Sequence, residues 1–389
     1  MRSLRRMMLR RRTGIWRLVS LMALIGLLAA ACGGGDDTTD TTEAAEVTTT
    51  AASEDPTTTE AMEEPTTTAA AEGDFGDPVT LTLGHPFPAE HPIHVNVMVP
   101  YAEDVNEATG GAVTIEFQPG GALAAPPATF ENTVAGGQDM GWALQGYHAG
   151  VFPVTEIVEQ PFQFTSAMQA TQTLWDLYDA YPELQDEYSD VQVLGLWTHD
   201  VGDIWTKEVP VEVMEDMQGL NMRFPTPIMG EVMDAMGASS VGLPAPEIFD
   251  SLSTGVIDGL SIAVSGLASF GLYPELAYGT KCDCYVASQY LVMNLDSWNG
   301  LTADTQQVML DLGREYSLVA GQVYDDAYVA ISQVAVDEGI EIYELPEDEL
   351  ARWHEVGQTV TDEWIAAREA EGVPAQQMYD DMQEIKAGY

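Results

Sequence analysis

The sequence predicts an α/β protein of two lobes, and three observations carry that expectation. Strand-like and helix-like segments alternate between Val79 and Leu144, and they alternate again between Asn221 and Gly259. Stretches near 197–207 and 288–294 read as crossings from one region to the other and back. At 389 residues with 46% hydrophobic content, the chain is long enough to bury two separate cores.

Taken in order, the first 31 residues are arginine-rich and then apolar, from Leu18 to Ala31. That run of about 14 residues is short for a membrane span and leads to small residues before Cys32, the pattern of a signal peptide. Leu28-Ala29-Ala30-Ala31-Cys32 resembles a bacterial lipobox, with alanine at 29 in place of a larger aliphatic residue, so Cys32 is the expected lipid anchor. The pair Arg5-Arg6 leaves export by the general or the twin-arginine route open. Residues 32–76 follow, almost wholly Thr, Ala, Glu, Asp, Gly and Pro, with 12 acids and no base. They bury too little apolar surface to offset ordering entropy, and a disordered tether is expected.

Folded structure is predicted from Val79 to Leu83, which alternates as a strand and stops at the loop Gly84-His85-Pro86-Phe87-Pro88. A helix is expected over 92–108, where Val97, Tyr101 and Val105 share a face, and Gly110-Gly111 ends it. A strand at 113–117, a helix near 127–135 and a strand at 139–144 complete a βαβαβ unit, hence a parallel or mixed sheet. Residues 165–188 read as amphipathic helix and 191–197 as an apolar strand.

The second unit holds a strand ending in Arg223, a helix near 228–236, a short strand at 239–241, a helix near 246–252 and a turn at 255–259. Tyr290 to Asn294 reads as a returning strand, and a long helix from about 302 to 338 is expected to bury Val308, Leu312, Tyr316, Val319 and Val323 on one stripe. The last part, 340–343 and helices near 347–370 and 375–386, is expected on the second lobe.

Charge narrows the functional classes. Of 14 bases, seven precede residue 18, and no acid precedes Cys32, so the chain beyond it has 7 bases against 62 acids, a net −55. Nucleic acid and anionic lipid are excluded as partners by repulsion. Such an excess fits a surface adapted to a saline medium; a specific cation-binding role is the alternative. Cys282 and Cys284 read as two strand thiols, a very tight disulfide, or a metal pair.

Among the seven bases beyond Cys32, Arg223 stands out, since a guanidinium offers paired planar donors to a carboxylate and stays charged at any working pH. Pairing with a surface acid is the alternative. No Gly-x-Ser-x-Gly elbow, Walker loop or dinucleotide glycine fingerprint occurs. His85, His91 and His94 lie close together and suggest either a metal site or solvated and capping side chains at a helix start.

Gly219-Leu220-Asn221-Met222-Arg223, then Gly237-Ala238 and Gly255-Val256-Ile257-Asp258-Gly259, resemble the DctP family, the extracytoplasmic solute-binding proteins of TRAP transporters. Further blocks in the same order, at 85–86, 108–123, 136–153 and 160–164, extend the resemblance over nearly all of 78–388. It implies a periplasmic-binding-protein-like fold of the class II type, with a hinge and a long helix spanning both lobes. On that basis lobe I is expected at 77–200 plus 289–328 and lobe II at 201–288 plus 329–389. It also implies that Arg223 receives the carboxylate of a small organic acid, which is handed to separate TRAP permease subunits.

Trp142, Leu144, Gln145 and Tyr147 fall where the family's first lobe lines the cleft, with Gln145 and Tyr147 as hydrogen-bonding candidates; ordinary packing is the alternative. Phe87 joins this set, with Trp205, Phe224 and Ile262 as apolar walls. His199 and Asp200 touch either a ligand or bound ion, or support the hinge. Sialic-acid-type members carry an Arg where this chain has Asp203 and an Asn where it has Ile262, so a smaller, more apolar monocarboxylate is expected. Neither catalysis, metal nor cofactor is expected. The rival readings are a receptor for an ATP-driven importer or sensor kinase, and an exported metal-dependent hydrolase.

Overall fold

The computed structural model describes residues 73–389. The signal peptide, Cys32 and nearly all of the expected tether therefore lie outside the described residues. Its expected end at residue 76 falls late: Asp74 and Phe75 are held at the start of the long helix, where Thr302 Oγ1 donates to Asp74 O and Thr305 Oγ1 to Phe75 O.

The chain begins with β1 (Val79–Gly84), a π-helical turn at His94–Met98, α1 (Val99–Ala108), β2 (Val113–Gln118), α2 (Thr129–Val134) and β3 (Met140–Leu144). Next come α3 (Ala167–Ala180), α4 (Pro182–Asp186) and β4 (Val191–Thr198). The chain crosses to β5 (Gly202–Thr206), β6 (Asn221–Phe224), α5 (Pro227–Ala235), β7 (Ser239–Gly242), α6 (Ile248–Ser253), β8 (Gly259–Ala263), α7 (Val264–Ser269) and β9 (Tyr278–Tyr285). It returns as β10 (Ser288–Asn294), α8 (Leu295–Asn299), α9 (Ala303–Asp337), β11 (Glu341–Glu344), α10 (Glu347–Ala370) and α11 (Ala375–Lys386).

Two sheets result, one per lobe. The first has the order β2-β1-β3-β10-β4, parallel among β1, β2 and β3, with β10 antiparallel to both neighbours. The second has the order β11-β9-β5-β8-β6-β7. Its parallel half, β8-β6-β7, comes from the βαβα pattern read around Arg223. The two crossings run side by side, with His199 N–H donating to Ala287 O at 3.1 Å and Gly202 paired with Tyr285.

Helix α9 has 35 residues, about 52 Å at 1.5 Å per residue, and packs on α1, α3 and β4 of the first lobe and on α7 of the second. Its buried stripe is turned from the expected one: Met309, Gly313, Tyr316, Ala320, Gly321 and Tyr324 face inward, and the valines flank them. Small residues win this face because the helix lies so close to its neighbours. A Cβ on Gly313 would stand 2.0 Å from Leu194 O, and one on Gly321 would stand 3.1 Å from Met168 Cα. The final helix also departs from expectation. α10 packs on α5 of the second lobe, but α11 lies on α3 of the first, where Lys386 Nζ donates to Gln163 O and Gln169 Nε2 donates to Lys386 O.

Of the three readings of the cysteines, the disulfide is the one present. It sits in a bulge where two steps along β5 answer five along β9, from Gly202–Tyr285 to Ile204–Thr280. Asp203 fills the gap in the ladder, its Oδ1 accepting from the N–H groups of Cys282 at 2.9 Å and Asp283 at 3.0 Å. The acid standing where sialic-acid-type members have an arginine is thus a buried backbone support.

Candidate functional site

Strand parity sets the central residue. On β6 the side chain of Met222 fills the space over Gly259, where a Cβ would meet its Sδ at 2.9 Å, and Arg223 therefore faces the other way. There it is 1% exposed. Its Nε donates to Leu243 O at 2.8 Å and an Nη to Ser261 O at 2.9 Å, which fixes the plane of the guanidinium. Among the described residues no carboxylate stands within ion-pair distance of it, so the surface-pairing alternative does not hold. Burial lowers its pKa from the usual value, and the nearby hydroxyls of Tyr147 and Tyr285 act against that shift.

Arg223 borders a small cavity of about 40 Å³. Phe87, His91, Leu144, Tyr147 and Gln289 wall it from the first lobe, and Arg223, Pro225, Ala245, Ile262, Ser265, Phe270 and Tyr285 wall it from the second. His199 contributes from the crossing and Tyr324 from α9. The wall carries one formal charge, that of Arg223, because burial holds the imidazoles of His91 and His199 neutral, with pKa values of about 3 and about 4.

Tyr147 spans the two lobes. It follows β3 in a short 3₁₀ turn, and its hydroxyl accepts from Ala245 N at 3.0 Å, leaving its own hydrogen free for a ligand. The buried hydroxyl of Tyr285, on the cavity wall, pairs with that of Ser261. The rest of the wall is aromatic: Phe87 lies 4.9 Å from His91 between ring centroids, His91 6.1 Å from Phe270, and His199 5.2 Å from Tyr285.

Of the eight residues picked from the sequence, Arg223, Tyr147, Phe87, His199 and Ile262 line this cavity. Trp142, Gln145 and Trp205 do not. Trp142 is fully buried behind Phe87 and donates to Gln289 Oε1 at 2.8 Å. Trp205 packs in the second lobe's core over Gly279 and donates to Ile262 O at 3.3 Å. Gln145 points to the other side of Gly146, where it donates to Tyr188 at 2.9 Å and borders a smaller cavity with Glu156 and Glu159. Phe224, half-buried, packs over Gly230 and Gly242 and does not line the site.

Asp200 supports the crossing, accepting from Ser265 N at 3.0 Å and Ser265 Oγ at 2.5 Å. The solvated reading of the helix-start histidines is corrected: His85, His91 and His94 are all buried, with His85 Nε2 and His94 Nδ1 3.0 Å apart. His91, Phe270, Tyr285 and Tyr324 were not picked as site residues. The clustering of His91 with His85 and His94 was a signal read as metal or cap, and Tyr285 stands at the crossing that the sequence does mark.

The comparisons with known proteins agree with this arrangement. Residues 83–367 match the profile of DctP, described as bacterial extracellular solute-binding protein, family 7. The chain is 22% identical over 306 residues to the outer membrane transporter protein TsaT of Comamonas testosteroni, covering 77% of this chain and 90% of that one. It is 23% identical over 237 residues to the 2,3-diketo-L-gulonate-binding periplasmic protein YiaO of Escherichia coli, covering 61% and 71%.

Among solved structures, a TRAP solute-binding protein from Rhodoferax ferrireducens with copurified benzoate superposes with a TM-score of 0.76 at 27% identity, covering 80% of this chain and 98% of that one. One from Bordetella bronchiseptica with bound (R)- and (S)-mandelate gives 0.76 at 28% identity, covering 80% and 99%. With two lobes joined by paired crossings, a buried arginine facing the cavity between them and a profile match over most of its length, the chain belongs to the family 7 extracellular solute-binding proteins.

Proposed function

We propose that this protein captures a small monocarboxylate with an apolar, ring-sized body outside the cytoplasmic membrane and hands it to a TRAP-type permease driven by an ion gradient. The observation that carries this reading is Arg223: buried, fixed on two carbonyls and unpaired with any carboxylate of the described residues, in a chain with 62 acids. A buried cation without a counter-charge is costly, and a solute carboxylate relieves that cost. The aromatic wall suits an apolar ring. The relatives holding benzoate and mandelate support the same class.

Lobe I, at 77–200 plus 289–328 with α11 packed on it, and lobe II, at 201–288 plus 329–370, close about the crossings. Contacts made only when the lobes meet favour the closed form. The protein performs no chemistry, acts without metal or cofactor, and is held near the membrane through lipidated Cys32. No helix of the described residues is long and apolar enough to cross a membrane.

A thermal-shift screen against a carboxylate panel tests this. A ligand at 100 times its Kd adds about 2.7 kcal/mol of stability. Arg223→Ala is expected to weaken the best ligand by about 30-fold or more, since truncating one side of a buried charged pair costs about 2 kcal/mol or more. An undiminished ligand shift in Arg223→Ala would refute the assignment.

A further inference from the structure

The second cavity, which Gly146 borders, measures about 10 Å³, room for one water or one ion. Gln145, His148, Glu156 and Glu159 of the first lobe line it, and Pro227, at the head of α5, lines it from the second. Two buried oxygens on this wall have no donor: Oε1 of Gln145, 3% exposed, and Oε2 of Glu159, 1% exposed. The orientation of the amide follows from its neighbours. Thr155 Oγ1 donates to Glu187 Oε2 at 2.6 Å, so the Tyr188 hydroxyl, 3.4 Å away, donates to Thr155 and accepts from Gln145 Nε2 at 2.9 Å. Glu159 Oε1 is taken up by Ser288 N at 2.9 Å and Ser288 Oγ at 2.6 Å, and Glu156 Oε2 by Trp364 Nε1 at 3.1 Å.

No side chain of the wall offers a hydrogen in return. His148 donates from Nδ1 to Pro127 O at 3.0 Å and accepts from the Tyr290 hydroxyl at 2.8 Å, and Pro227 has no N–H. Among the described residues neither Glu156 nor Glu159 forms an ion pair. Arg368 of α10 acts on Glu156 from a distance but pairs with Glu371 at 3.0 Å, while Glu187 and Glu231 add negative charge. A water would bring two hydrogens and also two lone pairs that these side chains do not meet, whereas a cation suits acceptors alone. No three histidines, cysteines or acids gather among the described residues as a transition metal needs. The space is also too small for the many oxygens of calcium or the retained waters of magnesium.

We propose that this cavity binds one monovalent cation, sodium in a saline medium, through Gln145 Oε1, Glu159 Oε2 and Glu156. The cation-binding role raised by the acid excess thereby acquires a place, at the boundary between the lobes. The ion is no part of the solute cavity, and capture of the carboxylate does not run through it. Without the ion the two acids keep their protons, titrating at about 8 and about 7 because they are buried, so sodium and protons compete.

Sodium chloride titrated against choline chloride at constant total salt tests this, by thermal unfolding of the solute-free protein. At pH 8 and about ten times its Kd, sodium is expected to raise the Tm by about 2–4 °C. Its affinity is expected to be about 5-fold weaker at pH 7, where a carboxyl titrating at about 8 is about one-tenth ionised instead of one-half. Gln145→Leu, which removes the oxygen and keeps the bulk, is expected to abolish the difference between the two salts, as is Glu159→Gln. Equal Tm in sodium and choline at pH 8 overturns the proposal and leaves the cavity to water or protons. A sodium effect undiminished in Gln145→Leu also overturns it, since the ions would then sit on the acidic surface. Should neither variant fold, the pH comparison decides: surface carboxylates are fully ionised at both values, and sodium binding no weaker at pH 7 than at pH 8 defeats the assignment.

Discussion

At Gly146 the first lobe lies close against the second, and replacing it with alanine separates binding from folding. A Cβ there would meet Pro225 O at 2.8 Å, Thr226 Cγ2 at 2.9 Å and Thr226 Cα at 3.0 Å. Two of these are backbone atoms that cannot swing aside, so the methyl group is accommodated only by holding the lobes apart. Overpacking of this kind costs about 1–3 kcal/mol. If the lobes part in the empty protein, that cost falls on the closed form alone, and affinity drops by about 5- to 150-fold. Calorimetry with the tightest carboxylate measures the drop. Thermal unfolding of the ligand-free variant is expected to match the unaltered protein within about 0.5 kcal/mol, and small-angle scattering is expected to show a more extended particle at subsaturating ligand. An unchanged Kd would refute the reasoning. So would a ligand-free variant that loses as much stability as binding, because the contact would then be a permanent one.

Two further perturbations probe the scaffold. Gly313→Ala places a methyl 2.0 Å from Leu194 O in the contact between α9 and β4; it is expected to cost about 1–3 kcal/mol in denaturant unfolding with or without ligand, and a variant of unaltered stability would contradict the packing described. The pH dependence has a definite sign. Burial raises Glu156 to about 8 and Glu159, Glu187 and Asp200 to about 7, so these groups bind protons more tightly when folded, and stability falls as pH rises through those values. The buried His85, His91 and His199, at about 3, 3 and 4, act in the opposite sense, but only below about 6.5. Between pH 6.5 and 8 the melting temperature is therefore expected to decline, less steeply in Glu159→Gln; a flat or rising curve would count against these shifts.

Much of the architecture was legible because it is local. Alternation at 79–83, the shared face of Val97, Tyr101 and Val105, and the strand-helix order around Arg223 each report a periodicity that packing then confirms. Arg223 was singled out by the scarcity of bases together with the family resemblance, and it lines the interlobe cavity. What escaped depends on which neighbour wins a side chain. Gln145 and Tyr147 are two apart, yet the turn between them sends one to Tyr188 and the other to Ala245. Trp205 has the size of a cleft wall, but Gly279 leaves a slot in the core that takes its ring. On α9 the valines outrank glycine in any hydrophobicity count, whereas close approach to Leu194 and Met168 gives the buried face to Gly313 and Gly321. The destination of α11 is set by the far-off partners Gln163 and Gln169, which no local pattern encodes.

The surplus length in β9 has a consequence for how ligand preference can change in such a protein. Three more residues on that strand than on its partner set the phase at which Tyr285 arrives opposite Gly202, where the missing Cβ makes room for the phenol ring. The side chain presented to the cavity is thus chosen by counting along the backbone. An insertion or deletion of one residue between Thr280 and Tyr285 would exchange the tyrosine for a neighbour of opposite orientation, so the cavity wall here answers to chain length as well as to side-chain identity.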